Sequence, residues 1–519
     1  MQQCDIILEK HKRWVLGGLM LLTLLVYSRA LTCGYIWDDD FYVTNNPVLT
    51  NGITGLADAW LKPGSTPQYY PLVFSSFWVE HQIWGFWAGG YHFTNILIHA
   101  ISVVLLYGLL QKIGISRWVS LFAAMLFAIH PVHVESVAWI TERKNVLSGM
   151  CYLAAASCYL TFISKRDWRM WAGTLLLFVL ALLSKTVACT LPAALLLYIW
   201  FKQGKITLKD ITPTLPFWVI GIVMGLFTVY MEKTHVGASG GEWELNAIER
   251  FLLAGRVLGF YAWSLLWPHP LIFTYPKWTI DASSILQWAS TLVILLVLGL
   301  EVARSIQTGK RGRTFALLFF AGTLFPALGF FDVFPFTYSY VADHFQYLAS
   351  IGILTLLAFV LARYPVIGLP VIVVFSVLTV MQIGAYKDAK TLWLDTIAKN
   401  PDAWMAHTNL GVIYINEGKE FAAIDSFEKA LSIKPDYAEA LANMGAIALI
   451  NKRLDEAESY FAQALASREN FYRAHLNMAL VQKLLGHPDQ AITHYQRALE
   501  IMDDPAVRQQ LEQLQAESK

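Results

Sequence analysis

Eleven windows in the first 385 positions are long and apolar enough, as helices, to cross about 30 Å of hydrocarbon. They lie near 14–31, 94–111, 117–133, 145–163, 168–184, 186–201, 213–230, 286–303, 314–331, 347–362 and 366–384. A chain in lipid must satisfy its own backbone polar groups, so repeated segments of this length specify helices. A twelfth stretch, 251–267, contains Arg256 and ends at Trp267-Pro268. It crosses, lies in the interface or re-enters. The composition agrees: 56% of the 519 residues are apolar and the mean hydropathy is +0.46. Of the 77 Asp, Glu, Lys and Arg residues, 33 follow position 385, so a soluble block succeeds the membrane block. Net charge is +1 with no long basic run, which argues against nucleic acid as a partner. The five cysteines show no metal-ligand spacing, and an odd number without a framework predicts no structural disulfide.

Cytoplasmic loops collect Lys and Arg. Lys10, Lys12 and Arg13, then Lys112 and Arg117, Lys165, Arg166 and Arg169, and Lys202, Lys205 and Lys209 alternate consistently as cytoplasmic. Arg304, Lys310, Arg311 and Arg313 join them only if 251–267 does not fully cross. That gives about eleven spans, a cytoplasmic N-terminus and an external C-terminus. The first segment reads as an uncleaved anchor, because no small-x-small cleavage site follows it. The loops 32–93, 134–144, 184–186, 231–285 and 332–346 then open externally, and the unusual polar residues lie in them.

From Trp404 the sequence repeats every 34 residues: Ala406/Ala440/Ala474, Asn409/Asn443/Asn477, Gly411/Gly445/Ala479, Ala423/Ala457/Ala491 and Phe427/Phe461/Tyr495. This pattern resembles the tetratricopeptide repeat, in which small residues let paired helices approach and an aromatic fills the gap. The expected organisation is a membrane domain, 1–385, and an α-solenoid, 386–519. The solenoid has a half-repeat at 386–403, repeats at 404–437, 438–471 and 472–505, and a capping helix at 506–519. Asn409, Asn443 and Asn477 recur on one face, where their amides either hydrogen-bond an extended peptide or satisfy neighbouring backbone.

The first external loop opens with Tyr35-Ile36-Trp37-Asp38-Asp39-Asp40-Phe41. Three successive carboxylates at a low-dielectric boundary repel one another. They supply a general base for a hydroxyl nucleophile, ligate a divalent metal, or simply form a solvated loop. A second cluster, His130-Pro131-Val132-His133-Val134-Glu135, is followed by Glu142-Arg143-Lys144. Arg143 and Lys144 either mark the interface or, with Lys185 and His344 at other external turns, surround a lipid phosphate.

Together these stretches resemble the integral-membrane glycosyltransferases of the GT-C class, and within it the transmembrane and tetratricopeptide O-mannosyltransferase family. The matching residues are Asp38-Asp39 with Asn46-Pro47, Tyr91-His92-Phe93-Thr94-Asn95 leading to His99, the His130 to Glu135 cluster, Ser184-Lys185, and Ala342-Asp343-His344 to Ser350. Three departures stand out: Arg143-Lys144-Asn145 replaces Arg-Ala-Asp, Thr186 replaces an acid, and His344 takes a place often held by Arg. They look more like a bacterial branch.

The resemblance implies an all-α polytopic GT-C fold of about eleven spans plus one re-entrant or interfacial helix, followed by the repeat solenoid. It implies transfer of a sugar, mannose or another hexose, from a polyprenyl phosphate to Ser or Thr of an exported protein. On that reading Asp38 is the base and Asp39 orients it or the acceptor. Arg143, Lys144, Lys185 and His344 bind the donor phosphate, while His92, His133, Glu135 and Asp343 shape the site. Asn409, Asn443 and Asn477 hold the acceptor. No cofactor is required, and Asp38, Asp39 and Asp40 are the ligands if a Mg or Mn ion is used. The protein then sits in a bacterial inner membrane with periplasmic repeats, or in an ER membrane with lumenal ones. The rival expectation is a membrane-anchored repeat scaffold with no chemistry, for which the acidic loop is mere surface.

Overall fold

The computed structural model describes residues 2–236 and 245–517, and the chain divides into two compact units, Met1–Leu392 and Trp393–Lys519. No strand occurs among the described residues. Each expected apolar window is found as a helix: α1 (Lys12–Tyr27), α2 (Ala88–Ile113), α3 (Arg117–Ile129), α4 (Arg143–Lys165), α5 (Trp168–Leu182), α6 (Leu191–Gln203), α7 (Leu215–Met231), α9 (Ile285–Thr308), α10 (Gly312–Leu324), α11 (Ser350–Arg363) and α12 (Pro365–Ile383). Between α7 and α9 lies α8 (Ala247–Leu266). Residues 237–244, in the expected 231–285 loop, lie outside those described.

Seven of the described helical stretches are long and apolar enough to cross a bilayer, those holding α1, α2, α4, α6, α7, α9 and α12. An eighth is bent by 48° where α3 gives way to Pro131–Ala138. Proline explains the break, because it has no N–H for the helix ladder and disfavours helix in the residue before it. Helices α5, α10 and α11 are apolar but shorter. Helix α8 is outside this set; it carries Glu249, Arg250 and Arg256, and the Arg256 guanidinium lies 4.2 Å from the Trp278 ring centre. Burial varies sharply: 67% of the apolar window holding α4 is buried, against 6% for α9. Helix α4 is therefore interior, whereas α9 packs one face on α8, through Trp288, Thr291 and Ile294, and leaves its other faces exposed.

The second unit contains α13 (Trp404–Asn416), α14 (Glu420–Ile433), α15 (Ala438–Ile450), α16 (Leu454–Ser467), α17 (Tyr472–Leu484), α18 (Pro488–Ile501) and α19 (Pro505–Glu517). The repeated alanines are fully buried, as are Phe427 and Phe461. A Cβ at Gly411 would stand 2.6 Å from the Phe427 ring, and one at Gly445 would stand 2.9 Å from the Phe461 ring. The aromatic thus dictates the missing side chain one helix earlier. In the third repeat Ala479 faces a core containing Tyr495, Val507 and Leu514, so α19 covers the last apolar surface.

Gly445→Leu should therefore force the Phe461 ring out of place. Overpacking of this kind costs about 1–3 kcal/mol. Hydrogen exchange should accelerate in α15 and α16 while α4 keeps its protection, and an unchanged α16 would contradict the packing argument.

Candidate functional site

Past α1 the chain is tied back by the Gly34 N–H, which donates to the Lys387 carbonyl at 2.8 Å. Trp37 then takes φ +48°, a left-handed conformation that a bulky L-residue adopts only when its surroundings enforce it. The enforcement comes from Asp39, which is fully buried. Its Oδ2 accepts from the Ile36 N–H at 2.9 Å, and its Oδ1 accepts from both the N–H and the hydroxyl of Thr141, at 2.9 and 2.7 Å. Asp39 is a clasp between the loop and the segment before α4, with both oxygens engaged. Asp40 is exposed and accepts from the Thr44 hydroxyl at 2.8 Å. The three carboxylates consequently do not converge. Among the described residues no group of three His, Cys, Asp or Glu is placed to hold a metal ion, so the expectation of a site built from Asp38, Asp39 and Asp40 does not fit this geometry.

Asp38 is the remaining acid, and its Oδ1 is buried without a hydrogen-bond partner. Burial pushes its carboxyl up to about 6, against the pull of Lys144. Burial and the Asp38 charge push Asp39 up to about 8. Successive carboxyls in a dry site resist double ionisation, so near neutrality the pair carries about one negative charge.

The second half of the site is built from three turns. Between α3 and α4 the chain runs through Pro131–His133, Val134–Ala138 and Ile140–Glu142, which places Glu135, Glu142 and Lys144. Glu142 is fully buried, with Lys144 Nζ at 3.0 Å on one oxygen and Lys185 Nζ at 3.1 Å on the other. Asn145 also donates to Glu142, and at 2.9 Å to the His344 carbonyl. His344 lies in the turn Asp343–Gln346, with Nδ1 2.9 Å from Glu135 Oε1 and Nε2 3.9 Å from Glu142. Burial lowers the His344 imidazole to about 3, so it is neutral at physiological pH. Burial also lowers Lys185, to about 8, with Glu142 resisting. Lys144 lies 5.2 Å from the Tyr42 ring centre and 5.8 Å from that of Trp139. Asp343 accepts from the Tyr275 hydroxyl at 2.9 Å.

Asp38, Lys144, Lys185, His344, Glu135 and Asp343 are thus linked through neighbouring turns, but three expected residues are not. Arg143 is fully buried on a different face of α4, paired with Glu80 at 2.8 and 3.2 Å. Its other donors reach Ser76, Asn95 and the Tyr91 carbonyl, and Phe77 lies beneath it. This cation is spent on structure and has nothing to offer a phosphate. His133 bonds the Phe127 carbonyl at 2.8 Å and Ser350 at 3.0 Å inside a ring cluster with His99 and Tyr347, so it belongs to the core. His92 is buried against the backbone of Cys33 and Gly34, behind the acidic loop. Conversely, sequence reasoning assigned no role to Glu142. A set of clustered cations needs a counter-charge, and Glu142 adjoins two of them.

In the repeat unit, the Asn409 amide donates to the Met405 carbonyl at 2.9 Å, one turn back on its own helix. The partly exposed Asn443 and Asn477 make no side-chain hydrogen bond among the described residues.

Residues 67–230, which include Glu135, Glu142, Lys144 and Lys185 but not Asp38 or His344, match the family model for dolichyl-phosphate-mannose-protein mannosyltransferase, and 378–438 and 436–504 match tetratricopeptide-repeat models. The recognition made from the motifs holds. The chain is similar to proteins of the transmembrane and tetratricopeptide O-mannosyl-transferase family over most of its length. It is 24% identical to "Protein O-mannosyl-transferase F38B6.6" of Caenorhabditis elegans, over 81% of this chain and 63% of that protein. It is also 24% identical to "Protein O-mannosyl-transferase TMTC1" of Homo sapiens, over 80% of this chain and 54% of that one. A shorter region, 34% of this chain and 21% of its relative, is 32% identical to "Protein O-mannosyl-transferase Tmtc1" of Drosophila melanogaster. The chain therefore spans between a fifth and just under two-thirds of these relatives' length.

The two cations should separate experimentally. Arg143→Met leaves Glu80 buried without its partner and should cost about 3–5 kcal/mol, seen as a large fall in Tm in detergent. Adding Glu80→Gln should recover part of it. Lys185→Met, at a side chain 15% exposed, should leave Tm much closer to wild type. Equal losses would mean that both lysine and arginine are structural.

Proposed function

We propose that this chain transfers a hexose, mannose in the first instance, from a polyprenyl phosphate to Ser or Thr hydroxyls of exported proteins, as an inverting GT-C enzyme. The observation that carries this reading is the buried, unpartnered Asp38 Oδ1 beside a lysine-rich cluster. A hydroxyl nucleophile needs one carboxylate to take its proton. A departing phosphate is already a good leaving group and needs cations rather than a general acid. Asp38 supplies the first, Lys144 and Lys185 the second. A glycosidase instead needs two carboxyls acting on the same bond, and here Asp39 is committed to the Thr141 clasp. Glu142 holds the two lysines in place until a phosphate competes for them, and Glu135 orients His344 beside them. The repeats present the acceptor on the external side of the membrane, in a bacterial periplasm or an ER lumen, through Asn443 and Asn477, with Asn409 contributing less.

Asp38→Asn keeps the shape and removes the base, so transfer should fall by about 10²–10⁴-fold. Donor binding should persist, since the lysines remain. The wild-type rate should rise tenfold per pH unit up to about 6, as Asp38 ionises, and decline above about 8, as Lys185 loses its charge. Asp40→Asn should be nearly silent. The measurement is transfer of labelled hexose by purified protein across pH 4.5–9.5. Wild-type transfer by Asp38→Asn would remove the base assignment, and no transfer by wild type to any exported protein would favour the scaffold.

Replacing Asn443 and Asn477 together by Ala should raise KM for long acceptor polypeptides, because backbone bonds of about 0.5–1.5 kcal/mol each are lost. Short peptides should be used as before. Equal effects on both acceptors would count against groove recognition.

A further inference from the structure

Helices α2, α4, α6, α10 and α11 enclose an apolar cavity of about 350 Å³, well within the size of small-molecule sites. Its wall is formed by residues such as Leu110, Leu160, Leu195 and Phe319, and one flank is Phe359, which is 49% exposed and so opens toward lipid. Helices α4, α6 and α11, which begin close after Glu142, Lys185 and His344, continue into this cavity's wall. The cavity's far end is made by the turn Gly114-Ile115-Ser116 and by Gly312. Along α4 its farthest wall residue, Leu160, lies about 24 Å from Lys144 at 1.5 Å per residue.

Two cations stand at that end. The Lys202 ammonium lies 3.1 Å from where a Cβ on Gly114 would be, and is 5.7 Å from the Phe201 ring centre. The Arg311 guanidinium packs directly on Gly204 and is 5.9 Å from the Trp200 ring centre. Among the described residues neither has an acidic partner. Other cations at this end are partnered, Arg117 with Glu9, Arg304 and Arg313 with Glu301, and Lys112 with Ser157 and Thr161, or, like Lys205 and Lys310, lack an acid but are not placed against the cavity wall by any ring or glycine contact among the described residues. Phe201, next to Lys202, and Gly312, next to Arg311, are themselves cavity wall. Unanswered charge therefore sits at the mouth of an apolar slot. That combination is complementary to a phosphate carrying a hydrocarbon chain, and basic pockets between membrane helices bind such headgroups.

We infer that this is a binding site for an anionic phospholipid of the leaflet at that end of the bundle, its phosphate held by Lys202 and Arg311 and one acyl chain lying in the cavity. The site is separate from the transfer centre, and the inference does not depend on the transfer reading. Positive residues at a membrane end are common as topology signals, but a topology signal needs no adjoining cavity and no choice between headgroups.

The full chain, purified in detergent, is titrated with dioleoyl phosphatidylglycerol or dioleoyl phosphatidylcholine, and bound lipid is counted by native mass spectrometry. One phosphatidylglycerol should bind at least tenfold more tightly than phosphatidylcholine. Lys202→Gln combined with Arg311→Gln should remove that preference without lowering Tm. Ala194→Trp, which fills the cavity, should weaken binding of both lipids while leaving the charge preference. Equal binding of the two lipids by wild type, or an unchanged preference in the double variant, would overturn the site. So would complete displacement of phosphatidylglycerol by a long polyprenyl phosphate whose own binding ignores Lys202 and Arg311. That result would make the cavity part of a donor site.

Discussion

The candidate site depends on a carboxylate that has no water to answer its charge. Glu142 is fully buried, and removing such a group from solvent is costly unless local partners compensate. Lys144 comes from the same turn, Lys185 from the turn between α5 and α6, and Asn145 links it to the backbone of His344. One acid thereby gathers three separate stretches of chain at one end of the bundle. The lysines hold two positive charges against its single negative one. The Asp38 and Asp39 pair adds its negative charge beside them, so acids and lysines offset one another across the site.

The acidic loop shows the same economy of parts. Three adjacent aspartates have three different environments because the backbone turns between them: Asp38 is buried without a partner on Oδ1, Asp39 is clasped, and Asp40 is in solvent. The clasp to Thr141 ties the loop to the segment leading into α4, so the acid and the lysines are held to one another through a single buried side chain.

Span positions and repeats were legible because they rest on periodicity, which the chain carries locally. Of the residues singled out from the sequence, the fold brings Asp38, Lys144, Lys185, His344, Glu135 and Asp343 into neighbouring turns and leaves Arg143, His92 and His133 elsewhere. Arg143 and Lys144 are neighbours in sequence, yet successive helical residues point about 100° apart. One therefore faces Glu80 in the core and the other faces Glu142. His133 shares the motif of Glu135 and His92 stands in another of the matching stretches, but both are enclosed in the interior. Which face a motif residue takes is set by neighbours far along the chain, such as Ser350 for His133, and no local pattern encodes that. Glu142 was hidden for the opposite reason: it reads as one more charge at a membrane edge until its two lysines are seen on either side.

Helix α9 is stabilised in a different way from the rest of the bundle. With 6% of its apolar window fully buried, it rests on α8 along one narrow face, and the bilayer covers the rest. Its sequence is therefore held to a thickness and a polarity instead of a shape. Exchange of one large apolar residue for another along most of its length leaves its surroundings unchanged, because lipid chains rearrange where packed side chains cannot. A charge on its exposed faces meets hydrocarbon. The helix is free to drift in sequence while remaining narrowly limited in composition.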